Sequence, residues 1–156
     1  MNELTCIPLR TDDEIRSAYP LMAALRTRIR SHTFLADVRR QQAQGYELVG
    51  GFARGRLVAL AGVRRTHTLA RGDHLFVDDL VTDAEAQGRG HATALLRWLA
   101  RRAAADHIPR MYLDSRDTAR GFYASRNFRF LTSLPCWIDI MELAGADAPQ
   151  GGGTRP

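Results

Sequence analysis

The chain has no lysine: all 22 positions counted as Lys or Arg are arginine, and against 17 acidic residues they leave a formal net charge of +5. That absence alone removes a Walker phosphate loop, which needs GxxxxGK followed by Ser or Thr. The positive charge that remains is the planar, bidentate kind that pairs well with phosphate. It suits a polyanionic cofactor, an acidic substrate or nucleic acid, and charge by itself does not choose among them. No basic run with interleaved aromatics and no recognised nucleic-acid motif occurs, so nucleic acid is not the expected partner. Cysteine is scarce. Cys6 and Cys136 lie far apart, fit no metal spacing and read as two reduced, unpaired thiols. The five histidines, His32, His67, His74, His91 and His107, are scattered without an HxxxH spacing, and no metal is expected. No apolar stretch reaches the length of a membrane span, so no membrane partner is expected. The opening residues, MNELTCIPLR, lack a basic region followed by an apolar core; no secretory signal is expected, and the expected location is the cytoplasm.

What is present fits one globular domain. A chain of 156 residues with 45% hydrophobic and 25% charged content can bury a substantial core. Leu4 to Arg10 reads as a short first strand. Thr11-Asp12-Asp13-Glu14 has the capping-box spacing of a helix start, and Ile15, Tyr19, Met22 and Leu25 continue at helical period with a break or kink at Pro20. A second helix is expected from Thr33 to Gln44, with Phe34, Leu35 and Val38 inward and Gly45 as its stop. Tyr46 to Ala53 and Arg56 to Arg65 form a hairpin across Arg54-Gly55, and Asp73 to Thr82 is a longer strand. Thr93 to Ala105 is an amphipathic helix, with Leu95, Leu96, Trp98, Leu99 and Ala103 on one face and Arg97, Arg101 and Arg102 on the other. Then come a strand (Arg110 to Ser115), a short helix (Asp117 to Arg126) and two closing strands (Phe128 to Thr132 and Cys136 to Leu143). From residue 145 to 156 the chain reads as a flexible tail, leaving 1–144 as a single domain of mixed α/β class.

The densest signal is Gln87-Gly88-Arg89-Gly90-His91-Ala92, set between an apolar strand and a long helix. A glycine turn opening a helix exposes several backbone N–H groups at the positive end of the helix dipole, which suits a phosphate or diphosphate. The spacing lacks the three glycines of the Rossmann GxGxxG fingerprint. Gln-x-x-Gly-x-Ala after a strand instead resembles the acyl-CoA loop of the GNAT N-acetyltransferase superfamily, whose pattern is Gln or Arg-x-x-Gly-x-Gly or Ala. Two further segments follow the family in order. Asp79-Leu80-Val81-Thr82-Asp83-Ala84-Glu85 is similar to its strand-and-loop lead-in, and Ala119-Arg120-Gly121-Phe122-Tyr123-Ala124-Ser125-Arg126-Asn127-Phe128 resembles its A-x-x-[FL]-Y-x-x-x-G-F segment. Two positions depart from the pattern: Arg116 or Asp117 stands where the family often has Asn, and Asn127 replaces the glycine before Phe128. The resemblance covers residues 45 to 143 well and the first forty-odd only by general layout.

The resemblance implies the GNAT fold, a mixed and mostly antiparallel central sheet of about seven strands with about four helices, strands 4 and 5 splaying apart around the acyl-pantetheine arm. It implies acetyl-CoA as co-substrate and an amine acceptor. Leu80, Val81 and Thr82 are then expected to offer backbone groups to the pantetheine, and Gln87, Gly88, Arg89, Gly90, His91, Ala92 and Thr93 to bind the diphosphate. Transfer by direct attack needs a neutral amine, a proton acceptor, donors for the developing oxyanion and a donor for the leaving thiolate. Tyr123 matches the family's helix tyrosine and is the general-acid candidate. The base is left among Asp79, Asp114 and a water, with Asp78 a third carboxylate that strand alternation sends to the face opposite Asp79. The acceptor pocket is expected among the two N-terminal helices, the Thr66 to Asp73 loop and the last strands near Trp137, where Arg28, Arg30 and Arg39 are either ligands for an acidic acceptor or solvated helix faces. Two other functions fit the same residues: a toxin-like GNAT that acetylates aminoacyl-tRNA, and a non-catalytic acyl-CoA-binding module. A homodimer is compatible with the resemblance.

Overall fold

The Thr11 capping box forms as its spacing dictates. In the computed structural model, which describes residues 3–145, the Thr11 hydroxyl accepts from Glu14 N at 3.2 Å, and the Glu14 carboxylate accepts from Thr11 N at 2.8 Å and Arg10 N at 2.7 Å. Those backbone donors hold the Glu14 carboxyl below its usual value of 4.5, so its contribution to stability is present above that pH and fades as the pH falls further. Helix α1 (Asp12–Ser17) follows, and α2 (Tyr19–Leu25) restarts after Ala18 with Pro20 in its first turn, where a missing N–H disturbs no helical bond. Thr11→Ala is expected to cost about 1 kcal/mol of stability, read as a lower urea midpoint with an unchanged slope.

The chain divides into two compact units, Met1–Asp114 and Ser115–Pro156. The first holds a five-stranded sheet in the order β1 (Thr5–Pro8), β2 (Tyr46–Ala53), β3 (Arg56–Thr68), β4 (Gly72–Thr82) and β5 (Met111–Leu113). Neighbours from β1 to β4 run antiparallel; β4 and β5 run parallel. The β2–β3 turn has Arg54 at φ 53° and Gly55 at 77°, the twist that a two-residue hairpin favours. On one face of the sheet, Leu48, Leu60 and Tyr46 pack with Ile15, Met22, Phe34 and Val38 of α1, α2 and α3 (Ser31–Gln42). On the other, Val49, Ala61, Val63 and Val77 meet Leu95, Leu99 and Ala103 of α4 (His91–Ala105). Arg102 of α4 pairs with Glu47 of β2, Nη2 donating to Oε2 at 3.1 Å. Arg39 is a structural side chain, donating to Arg10 O at 3.0 Å and pairing with Asp12, whereas Arg28 and Arg30 are exposed.

The second unit holds a single-turn 3-10 helix (Asp117–Ala119), α5 (Arg120–Ala124) and α6 (Ile140–Gly145). Here the structure corrects the sequence reading. Neither Phe128 to Thr132 nor Cys136 to Leu143 is a strand: residues 128–139 carry no regular ladder and Ile140 onward is helical, so the described residues hold five strands rather than about seven, and six α-helices rather than about four. The alternating apolar pattern lacks its usual driving force, because Leu131, Leu134, Trp137, Ile140 and Met141 stay exposed. Pro135 removes one ladder donor. Asp139 then favours a helix start, its carboxylate accepting from Met141 N at 2.9 Å. The tail expected at residues 145–156 lies, apart from residue 145, outside the described residues.

Candidate active site

The turn between β4 and α4 has the shape of an anion cradle. Gly88 and Gly90 take φ of 74° and 81°, a region that side chains strongly disfavour, and a Cβ on either would meet open space. Both glycines are therefore needed for the backbone path, not to make room within the protein. Gly90 is the N-cap of α4 and has no side chain with which to cap it, so the first-turn N–H groups face outward at the positive end of a 15-residue helix. Gln87, Gly88, Arg89 and Gly90 are exposed, His91 is buried, and Ala92 and Thr93 are half-buried along the first turn. The turn is pinned from behind. Asp83 accepts from Glu85 N at 3.0 Å, and Arg56 at the β2–β3 turn reaches Asp83 at 2.6 Å and Glu85 at 3.3 Å.

Leading into this turn, β4 has one edge to spare. Its ladder with β5 covers only Leu75, Phe76 and Val77, while β4 itself runs on to Thr82 and stays paired with β3 as far as Thr82 opposite Ala59. From Asp78 to Thr82 the β5-facing edge has no strand partner among the described residues, which is the splay expected between the fourth and fifth strands. Leu80 packs with the α4 core and Val81 with the core beneath α1–α3. Their side chains are therefore structural; Val81 spends its backbone groups on Leu60 of β3, while those of Leu80 turn to the open edge, available to an added extended ligand.

At the head of that edge, β4 carries an extra residue. Gly62 of β3 faces Asp79 and Val63 faces Val77, so Asp78 is the inserted residue of a β-bulge. Simple alternation fails here, and both aspartates reach partners on the face that carries Tyr46. Arg64 holds Asp78 by a fork, Nε to Oδ2 at 2.6 Å and Nη2 to Oδ1 at 2.7 Å. Asp79 is buried and accepts from Arg26 Nε at 2.7 Å and from the Tyr46 hydroxyl at 2.8 Å. Burial, with the Asp79 charge beside it, pushes the Tyr46 phenol far above its ordinary value. None of Arg26, Tyr46 and Gly62 is among the site residues expected from the sequence. Arg26 lies 53 positions from Asp79 and belongs to a chain rich in arginine, so no local signal marks it. Asp114 differs from Asp79: it follows Leu113, the residue paired with Val77, and is exposed where β5 leaves β4.

In the second unit, Tyr123 sits on α5 between two aromatic rings, 5.1 Å from Phe122 and 5.2 Å from Phe128, both edge-on. Burial raises the phenol above its ordinary value. Asn127 takes φ 62°, the left-handed geometry for which the family pattern uses glycine, and Phe128 N closes the helix end on Tyr123 O at 3.2 Å.

The strand, bulge, glycine turn and helix of the first unit coincide with a match over residues 12–128 to the model of the Acetyltransferase (GNAT) family. The chain belongs to that family. It is 28% identical over 122 residues to a Bacillus subtilis protein named as the uncharacterized N-acetyltransferase YhdJ, covering 76% of this chain and 86% of that one. The GNAT fold is shared with a Trypanosoma brucei acetyltransferase (TM-score 0.72, 22% identity, 88% of this chain and 99% of that one). An aminoglycoside N-acetyltransferase in complex with CoA shares it as well (TM-score 0.74, 14% identity, 88% and 96%). Among the described residues no group of three or more His, Cys, Asp or Glu side chains is placed to hold a metal ion, and no helix is long and apolar enough to cross a membrane.

Proposed function

We propose that this GNAT is an acetyl-CoA-dependent N-acetyltransferase that moves an acetyl group to a primary amine of a small molecule or protein by direct attack on the thioester. The observation that carries the reading is the uncapped glycine turn at Gly88–Gly90, placed at the end of a strand whose edge is bare from Asp78 to Thr82. Gln87 to Thr93 hold the diphosphate through backbone N–H groups, with Arg89 adding charge. Leu80 and Thr82, whose backbone groups turn away from β3, pair with the pantetheine amides as a further strand would, with Val81 holding the stretch to β3 between them. Tyr123 gives the leaving thiolate its proton. Asp114, directly or through a water, is the better proton acceptor, because both oxygens of Asp79 already take donors. Residues 1–144 work as one catalytic domain, since the family match runs from 12 to 128 across both units. A cytoplasmic location accords with the free thiols of Cys6 and Cys136.

Calorimetry tests the diphosphate assignment. Acetyl-CoA is expected to bind markedly tighter than acetyl-pantetheine, which lacks the diphosphate; equal affinity would remove the main support for the reading. Forcing a β-branched side chain into a left-handed position costs on the order of 1–3 kcal/mol. Gly90→Val is accordingly expected to weaken acetyl-CoA binding by about tenfold or more. Release of free thiol across a panel of primary amines then tests the transfer itself.

A further inference from the structure

The clamp at the β4 bulge is the part of the first unit that the roles above leave unused. Arg26, just past the end of α2, donates with one nitrogen to a side chain and with another to main chain: Nε to Asp79 Oδ1 at 2.7 Å and Nη2 to the Asp78 carbonyl oxygen at 2.6 Å. The second Asp79 oxygen is held by Tyr46 at 2.8 Å, and the Asp78 carboxylate is drawn off by Arg64. A cation serving only to neutralise buried Asp79 has no need of the neighbouring carbonyl. Arg26 uses half of its fork there. Because a peptide unit is planar, fixing the Asp78 carbonyl also fixes the direction of the Asp79 N–H on the same plane. The Asp83 N–H donates to Val58 O at 2.9 Å, and this sets the ladder parity: the Asp79 N–H turns toward Gly62 of β3, and the Asp78 carbonyl turns to the bare edge, just past Val77 and before Leu80.

We propose that Arg26 is a positioning residue: by holding the Asp78 carbonyl it sets the peptide between Asp78 and Asp79, and through it the alignment of the thioester end of the bound carrier. This rests on the acetyltransferase reading above. The ammonium of a lysine is a single point charge and does not reproduce a planar fork shared between a carboxylate and a carbonyl. Misplacement of a reacting group by about 1 Å costs about 10²-fold in rate.

The test uses the full chain with Arg26→Met, Arg26→Lys and the double variant Arg26→Met/Asp79→Asn, which strands no buried carboxylate if the single variant folds poorly. Turnover of acetyl-CoA with an active amine and amide hydrogen exchange along β4 are both measured. Arg26→Met is expected to lower kcat by about 10²-fold and Arg26→Lys by less, with KM for acetyl-CoA within about threefold, because the glycine turn is untouched. Exchange at residues 78–82 should speed up in Arg26→Met and in the double variant while residues 48–61 keep their protection. The proposal is overturned if Arg26→Met keeps kcat within about threefold of wild type, if the loss lies wholly in KM, or if exchange at 78–82 is unchanged. It is also overturned if the double variant regains wild-type exchange, since Arg26 would then only neutralise Asp79. Wild-type protein that releases no thiol with any amine sinks the transferase reading instead, and β4 exchange still decides whether Arg26 sets the bulge.

Discussion

Tyr123→Phe is expected to reduce turnover by about 10²-fold or more, the usual contribution of a positioned general acid, while leaving acetyl-CoA affinity nearly unchanged. The reasoning is chemical. A thiolate leaving from the thioester needs a proton or a strong donor, and on the proposed reading the phenol supplies one without adding charge to the site. Burial raises the phenol, so its proton is retained past the ordinary tyrosine value of 10. A raised acid stays competent below its own titration point and fails above it. The wild-type rate should therefore hold through pH 10 and fall only beyond, and the Phe variant should lack that descending limb. The check is free-thiol release from pH 7 to 11 on both proteins. Unchanged turnover by Tyr123→Phe on every amine that the wild type accepts would exclude it as the acid.

Gly62→Ala carries the largest expected effect on stability. A Cβ there would overlap the Tyr46 phenol and come within 2.5 Å of Asp79 Oδ2. Neither neighbour can step aside cheaply: Tyr46 is 5% exposed and the Asp79 carboxylate is held by Arg26. Overpacking a tight core costs about 1–3 kcal/mol, and separating a buried carboxylate from its donors adds about 1–3 kcal/mol more. The expected loss is about 3 kcal/mol or more, a large share of a marginal total of about 5–15 kcal/mol. Equilibrium urea unfolding measures it. A Gly62→Ala protein as stable as wild type would refute the close packing described at the bulge.

What could be read in the sequence was local. The Thr11 capping box, the Arg54-Gly55 turn and the Gly88–Gly90 turn each depend on a few adjacent residues, and each forms where its spacing says. The amphipathic face of α4 was legible for the same reason, since period 3.6 over 15 residues leaves little choice of which side goes inward. The bulge was not legible. One inserted residue changes neither composition nor apolar pattern, yet it brings Asp78 and Asp79 to partners on one face. The clamp joins residues 26, 46, 62 and 79, contacts of long sequence separation that no spacing rule marks. At the other end of the chain, alternation at Phe128 to Leu143 read as strand because a sequence shows which side chains alternate but not whether a ladder partner waits for them. Asp139 settled a local competition in favour of helix.

The unpaired stretch of β4 also has a length. Four steps from Asp78 to Thr82, at a rise of about 3.3 Å each, give about 13 Å of open backbone between the bulge and the turn that leads to α4. On the acetyltransferase reading proposed above, such a stretch works as a gauge: a carrier gripped by its phosphates at one end presents its acyl group at the bulge only if its tether is of matching span. On that reading, thioesters on clipped tethers are expected to fall short of the reacting end however well their acyl group fits there, a selection of donor by reach as much as by chemistry.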